Sequence, residues 1–374
     1  MSIRPHRRTR ALLSLSVVAL LALAACGDDG GDTSPEDGAT DAGGAATTDA
    51  GATDGATEGG ADEGAGGDEE PVELSFANSY PDTHPHNECG AFVVRDTLGE
   101  GDSGISIEVF SNSQLGPDAE RFTSVASGDI DIDIQGSSAI SASFPEIGAL
   151  DAAYAFEGPD ALFEFVDSPA FEDLQERMLE ATGVRVLDVW YFGMRHFTAN
   201  QPIRTSEDFS GLRMRFPDSP QYLANAEALG ATAVPVAFEE VYLALQQGTI
   251  DGQENPIPTI RDLNLPEVQS HVSLTGHQVG SVLAIVSEDT WQSLSQGQQE
   301  ALQAAISETR DGDRQCVEDA EAELVQQWQD EGTMEVVEDV DREAFAQQAE
   351  EYFMENYSGD QLALYEQIRE IANQ

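Results

Sequence analysis

Lysine is absent from this chain of 374 residues, and its 17 basic residues, all arginine, face 70 acidic ones for a formal net charge of −53. Nucleic acid and anionic membrane surfaces both require a basic footprint, so the balance argues against either as a partner. Cysteine is almost absent, with only Cys26, Cys89 and Cys316. No apolar run reaches the roughly 20 residues that a spanning helix needs. A phosphate loop, a nucleophile motif and a metal motif of useful specificity are also missing, and no cofactor is expected. An acidic, lysine-free surface suits a salty environment, and it makes each arginine worth locating.

The first ten residues carry Arg4, Arg7, Arg8 and Arg10 and no acid, and an uncharged, mainly apolar run follows from Ala11 to Ala25. Gly27, Asp28 and Asp29 come directly after Cys26, so residues 1–25 read as an export signal peptide and not as a membrane span. Leu23-Ala24-Ala25-Cys26 resembles the lipobox of bacterial lipoproteins. That resemblance implies lipidation of Cys26 and attachment to the cell membrane, in the periplasm or on the outer face. Arg7-Arg8 leaves general secretion and twin-arginine export both open. From Gly27 to Glu70 the chain is nearly all Gly, Ala, Thr, Asp and Glu, with 14 acids and no base, so residues 26–70 read as a lipidated cysteine and a disordered acidic linker. Flexible-coil scaling gives such a tether a reach of roughly 35–40 Å.

Residues 71–374 are enough for two ordinary domains. Val72–Asn78, Ile105–Phe110 and Ile130–Ile134 read as strands, with helices near Phe92–Leu98 and Asp118–Ser127 between them. The alternation returns with strands at Gly211–Phe216 and Ala231–Val236, helices at Gln221–Leu229 and Phe238–Gln247, and a short strand at Ile250. A shift of 120 residues lays Glu120, Phe122, Val125, Gly128, Ile130 and Asp131 on Glu240, Tyr242, Leu245, Gly248, Ile250 and Asp251, which describes two similar α/β units. Ligands of open α/β sheets bind beyond the carboxyl ends of the strands, so a cleft between the units is the expected site. A long amphipathic helix from Gln298 to about Asp330 and two shorter ones near 343–355 and 361–371 complete the chain.

The stretch from Tyr191 to Asn255 carries the candidate chemistry. Arg195 is followed by Arg213 and Arg215, which share one face of a strand. A guanidinium fork grips a carboxylate through two parallel hydrogen bonds, so an arginine in a cleft recognises an acid, whereas an arginine on the surface would only pair with neighbouring acids.

Three blocks resemble the signature of DctP-type solute-binding subunits of TRAP (tripartite ATP-independent periplasmic) transporters. They are Gly211-Leu212-Arg213-Met214-Arg215-Phe216-Pro217, the run from Ala237 to Gln246, and Ile250-Asp251-Gly252-Gln253-Glu254-Asn255-Pro256. Ser113-Gln114-Leu115-Gly116 and Gly128–Asp131 are also similar to that family, and the likeness runs over residues 72–374. The resemblance implies an α/β, two-domain, hinged fold of the periplasmic-binding-protein type with a ligand cleft between the domains. It implies that Arg215 forms the main salt bridge to a ligand carboxylate, that Arg195 is a second arginine on the same ligand, that Phe238 packs on it and that Asn255 hydrogen-bonds it. Asn78, Asp118, Gln135 and Ser137 fall where the family varies its specificity contacts. The expected division is 71–192 plus 281–320 for binding domain I and 193–280 plus 321–374 for binding domain II, hinged near 193 and 281.

The implied function is extracytoplasmic capture of a small organic acid, such as a C4-dicarboxylate or a sugar acid, for uptake by integral-membrane transporter subunits, with a monomer expected. A binding subunit for a sensor or another uptake system would share the fold, and an extracellular enzyme would turn its ligand over. Cys89 and Cys316 form either a disulfide or two buried thiols. His84, His86, Glu88 and Cys89 have metal-ligand chemistry, but Pro85 and a helix start also explain them as a turn lining the cleft, where His86 would reach the ligand. Glu239 and Glu240 lie on different faces of a helix, which favours a solvated surface over an acid/base pair.

Overall fold

Residues 70–372 are described by a computed structural model, and the export signal, Cys26 and nearly all of the acidic linker lie outside the described residues. Among the described residues nine strands form one mixed sheet: β1 (Val72–Ala77), β2 (Ile105–Phe110), β3 (Ile132–Gly136), β4 (Val184–Ala199), β5 (Arg213–Phe216), β6 (Thr232–Pro235), β7 (Gly252–Pro256), β8 (His271–Ser287) and β9 (Glu335–Val337). Their order is β2-β1-β3-β8-β4-β7-β5-β6, with β9 pairing on β8. The order is nearly palindromic. β1 lies parallel between β2 and β3, and β5 lies parallel between β6 and β7. Each parallel wing then hangs antiparallel on a long strand, β3 on β8 and β7 on β4. β3 and β7 stand 120 residues apart in equivalent places, which is the physical content of the internal echo.

The parallel wings need helical crossovers, and the sequence supplies their boundaries. Helix Asp118–Ser127 stops at Gly128 in a left-handed conformation, φ 79°, and helix Pro220–Leu229 begins with proline after Ser219, whose hydroxyl accepts the Tyr222 N–H. Ile130 and Ile250 are buried in the turns that follow the helices, and the ladders start two residues later than the sequence reading placed them. The sequence reading assigned neither β4 nor β8. Both are covered on both faces, so the period-2 alternation of a half-exposed strand is missing.

β4 and β8 pair along most of their length but slip register at three places, between Val186 and Asp188, between Tyr191 and Gly193, and between Arg195 and Phe197. Gly193 pairs with Gly280 at the second slip and has φ 119°, a conformation that side chains with a Cβ rarely adopt. A Cβ there would come within 2.7 Å of Pro256 Cβ and 2.8 Å of Glu321 Oε1.

Helix Gln296–Glu331 has 36 residues, about 54 Å at 1.5 Å per residue. Ser295 and Gln298 form a capping box at its start and Gly332, φ 67°, ends it. Leu302, Ala305 and Ile306 pack with Leu74, Phe76, Ile132 and Trp190, whereas Leu324 and Trp328 belong to a separate cluster with Val241, Ile250, Ile257 and Val272. One unbroken helix therefore serves both wings, and the expected boundary at 320/321 falls inside it.

Cys89 and Cys316 are disulfide-bonded, Cα to Cα 6.4 Å, which ties the segment at His86–Ala91 to the long helix across a sequence separation of 227. Closing so long a loop removes unfolded-state entropy worth about 5 kcal/mol in the loop-entropy account. Reduction or Cys316→Ser is expected to lower the thermal midpoint by about 5–10 °C, read by scanning calorimetry with and without reductant. An unchanged midpoint would mean that the crosslink adds no net stability.

Candidate ligand-binding site

The carboxyl ends of β1, β3 and β5, with β7, converge on one cavity, as expected for parallel strands. Ser79, Tyr80, Gly136 and Ser138 line it from the first wing, Arg215, Pro217 and Asn255 from the second, and Phe192, Arg195 and Ser281 from the two long strands. Tyr222, Phe238 and Asp118 complete the wall around a non-atom space of about 500 Å³, open mouth included.

Arg215 is 3% exposed. Its Nε donates to the Val236 carbonyl at 2.8 Å, and among the described residues no carboxylate lies within ion-pair distance of it. Burial pushes its pKa down to about 10, helped by the neighbouring Arg195 and opposed by Glu254. The group is therefore a cation at neutral pH, held in the cavity without a counter-charge of its own. Arg213, two residues earlier on β5, is exposed and gripped by Asp251 through Nε and Nη2, both at 2.9 Å.

Arg195 is paired differently. Its Nε and Nη2 fork onto the Glu254 carboxylate, with Nη2 2.8 Å from Oε1, and Nη2 also donates to Asn255 Oδ1 at 3.1 Å. The guanidinium lies 5.6 Å from the Phe192 ring centre and 5.2 Å from that of Tyr222. Burial alone would raise the Glu254 carboxyl, but Arg195 and His277 outweigh it and hold Glu254 below the usual range. Arg195 thus reaches the cavity as half of a buried ion pair. Glu254 carries that pair and was not picked out from the sequence; the only signal for it is its place in the block between Gln253 and Asn255.

On the opposite wall, Asp118 accepts the Ser79 hydroxyl and Arg121 Nη2. Arg121 is buried with every donor engaged: Nε on Asp133, Nη1 on Ser79 and on the Gly116 carbonyl at 2.9 Å each, and Nη2 on Asp118 and Asp133.

Of the residues singled out from the sequence, Arg215, Arg195, Asn255, Phe238 and Asp118 line the cavity together. Asn78, Gln135, Ser137 and His86 do not line it. Asn78 is fully buried, exchanging amide hydrogen bonds with Asn87 and accepting the Tyr80 N–H. Gln135 donates to Asp133 Oδ2 and to the Asp118 carbonyl, and Ser137 turns inward to Asp151. His86 sits behind the wall, its Nδ1 2.9 Å from Asp313 and its ring stacked on Phe192. Cys89 is engaged in the disulfide, and among the described residues no cluster of three or more His, Cys, Asp or Glu could hold a metal. Glu239 and Glu240 are exposed, and Glu239 accepts a hydrogen bond from Ser113 at 3.1 Å, from one wing to the other.

Two parallel wings sharing long strands, with a buried arginine at their common cavity, define a hinged, two-domain extracellular solute-binding protein. The chain belongs to the DctP family, bacterial extracellular solute-binding protein family 7, whose model matches residues 95–360. It is 37% identical over 65% of its length to a sialic acid-binding periplasmic protein of Vibrio cholerae, covering 76% of that protein. It is 30% identical over 71% of its length to a C4-dicarboxylate-binding periplasmic protein of Rhodobacter capsulatus, covering 80% of that protein. A crystal structure of a TRAP periplasmic solute binding protein from Roseobacter denitrificans with bound L-galactonate superposes with a TM-score of 0.74 at 28% identity, over 80% of this chain and 99% of the other.

Asp151, under the cavity, accepts Ser137 and Gln278, and burial pushes its carboxyl from 3.8 to about 7 against the pull of Ser137 and Arg195. Its folded-state pKa exceeds the unfolded one, so its contribution to stability is present at acid pH and is lost as pH rises from about 4 to about 7. Asp151→Asn is expected to gain on the wild type across that window, by an amount on the order of 2–4 kcal/mol, in urea unfolding at pH 4.5 and 7.5. A difference that does not change with pH would assign the burial cost elsewhere.

Proposed function

We propose that this protein captures a small organic acid by its carboxylate outside the cytoplasm and delivers it to the membrane subunits of a TRAP-type secondary transporter. The observation that carries the reading is Arg215, a buried guanidinium with no carboxylate partner among the described residues, facing a cavity at the strand ends. A ligand carboxylate supplies the missing counter-charge and two acceptors for the fork. Membership of the family supports it, as do the relatives described as binding sialic acid, C4-dicarboxylates and L-galactonate. Asn255 and Phe238 contact the same ligand in this reading, and the ligand leaves chemically unchanged.

The protein acts as a monomer held to the membrane by lipid on Cys26, with residues 27–70 as the tether. Residues 71–192 plus 281–320 and residues 193–280 plus 321–374 close on the ligand by rotating about Gly193 and Gly280. The glycine pair at the register slip of β4 and β8 supports that axis. Hydrogen bonds from Ser113 to Glu239 and from Arg261 to the Thr83 carbonyl across the cleft mouth suit a closed form.

Arg215→Ala is expected to weaken binding of the preferred acid by about 30-fold to 1,000-fold, since one member of a desolvated pair is lost. Its melting temperature without ligand should not fall, because the buried cation is itself a cost. A thermal-shift screen of organic acids identifies the ligand, as saturation at 100 times Kd stabilises by about 2.7 kcal/mol, and calorimetry then compares the variant. Wild-type affinity in Arg215→Ala would refute the carboxylate contact. Gly193→Ala should lower the melting temperature and blunt the ligand-induced fall in radius of gyration seen by small-angle scattering; a full-sized contraction would move the hinge elsewhere.

A further inference from the structure

The cavity is electrostatically one-sided. Arg215 offers one unneutralised positive charge, and Arg195 beside it is already matched by Glu254. Across the cavity stands Asp118, a carboxylate that also lines the adjoining pocket, which shares Arg215, Pro217 and Phe238 with the cavity. Arg121 lies behind Asp118, but its five N–H groups are all engaged with Asp118, Asp133, Ser79 and the Gly116 carbonyl. One guanidinium shared between the carboxylates of Asp118 and Asp133 leaves that wall with no cation to offer a ligand. The helix that starts there is no substitute, because Asp118 and Glu120 already occupy its first turn.

The rest of the lining is rich in hydroxyls. Ser79, Ser138, Ser281 and the phenols of Tyr80 and Tyr222 surround the space, with Phe192 and Phe238 as apolar faces. Ser281 is the informative member: its Oγ is buried and, among the described residues, has no hydrogen-bond partner. A native structure rarely leaves such a group unsatisfied, and a ligand hydroxyl provides both a donor and an acceptor at that point.

Resting on the carboxylate reading above, we propose that the ligand is a polyhydroxylated monocarboxylate, a sugar acid of the aldonate type, and that Asp118 and Ser281 are its specificity-determining residues. The single carboxylate sits on Arg215. The carbon chain lies along Phe192 and Phe238, and its hydroxyls donate to Asp118 and exchange hydrogen bonds with Ser281 and Ser138. A C4-dicarboxylate would place its second carboxylate towards Asp118 with no free cation within reach. Like charges brought together in a desolvated site cost several kcal/mol, so Asp118 rejects that ligand class while it favours hydroxyl donors.

The test is calorimetric titration of the purified full-length chain with D-gluconate, L-galactonate, D-galacturonate and sialic acid, against succinate, fumarate, L-malate and neutral glucose. At least one sugar acid is expected to bind about 100-fold more tightly than any of the dicarboxylates. Asp118→Asn should narrow that gap about tenfold by strengthening dicarboxylate binding, since the repulsion is removed. Should that variant lose its fold, Ser281→Ala serves: it should weaken the sugar acid about 5-fold to 10-fold and leave unhydroxylated butyrate unchanged. A dicarboxylate that binds as tightly as the best sugar acid, or equal losses for sugar acid and butyrate in Ser281→Ala, would overturn the assignment and leave the carboxylate reading intact. Binding of glucose in preference to every acid, or of no acid at all, would remove both.

Discussion

Two guanidinium groups, Arg195 and Arg215, face one cavity, and they coexist there because the Glu254 carboxylate lies against the first of them. Left to themselves, two buried cations would each lower the other's pKa on top of the cost of burial. The β4–β7 ladder sets Phe197 opposite Glu254 and His196 opposite Asn255, so the carboxylate is delivered to Arg195 by backbone register and not by a flexible reach. Arg195 then holds Asn255 by its side-chain oxygen, while the Asn255 amide donates to Gln253. The orientation of the second-wing wall follows from that single pair, and so does the isolation of Arg215. With Glu254 assigned to Arg195, the cavity keeps one positive charge, Arg215, without a carboxylate partner among the described residues.

The same local positive charge operates inside a chain with a net charge of −53. An anion approaching from solution meets repulsion first, but at physiological salt the field of distant surface acids decays over about 8 Å. In the proposed reading Arg215 acts inside that distance and in a desolvated wall, where a fixed charge is screened far less than one on the surface. The acidic surface therefore slows arrival more than it weakens the bound state. The surface arginines have no comparable role: Arg213, Arg204 and Arg95 are each paired with an adjacent acid at the surface, where such pairs contribute little.

Which parts of this were legible in the sequence follows from periodicity and side-chain direction. The parallel wings announce themselves through strand, helix and glycine stop, and the repeat of 120 residues survives in the structure as β3 and β7. Arg215, Asn255 and Phe238 were reached through motif resemblance, because nothing in local spacing separates a cleft arginine from a surface one; Arg213 and Arg215 read alike and end 46% exposed and buried, respectively. β4 and β8 were not legible, since strands covered on both faces lose the alternation that marks a half-buried one. Of the first-wing contacts, Asp118 lines the cavity, whereas Gln135 and Ser137 miss it by one residue each. Gln135 and Ser137 point to Asp133 and Asp151, and their neighbours Gly136 and Ser138 line the cavity. Side-chain direction changes with every step along a strand and at its junction with a helix, so a motif can locate the segment without choosing the member that faces the ligand.

Closure of the proposed hinge depends on how little else holds the wings together at the cleft mouth. The Ser113–Glu239 and Arg261–Thr83 hydrogen bonds are solvent-exposed, and contacts of that kind contribute about 0.5–1.5 kcal/mol each. Against them stand the entropy of ordering the mouth and the burial of an unpaired Arg215. Together with the buried contact of Thr259 Oγ1 with His84 Nε2 at 3.5 Å, these bonds enter the balance between the closed and open forms of the proposed hinge. A ligand shifts that balance only through contacts it makes in one state and not in the other. Arg215 and Asn255 lie on one wing, and Asp118, Ser79 and Ser138 on the other. An acid that reaches only Arg215 binds either state alike and leaves the cleft as it was. An acid whose hydroxyls also reach the first wing binds the closed state more tightly than the open one and shifts the cleft towards closure. In this arrangement the groups that choose the ligand are the same ones that couple its binding to closure, so selectivity and the signal to the transporter arise from one set of contacts.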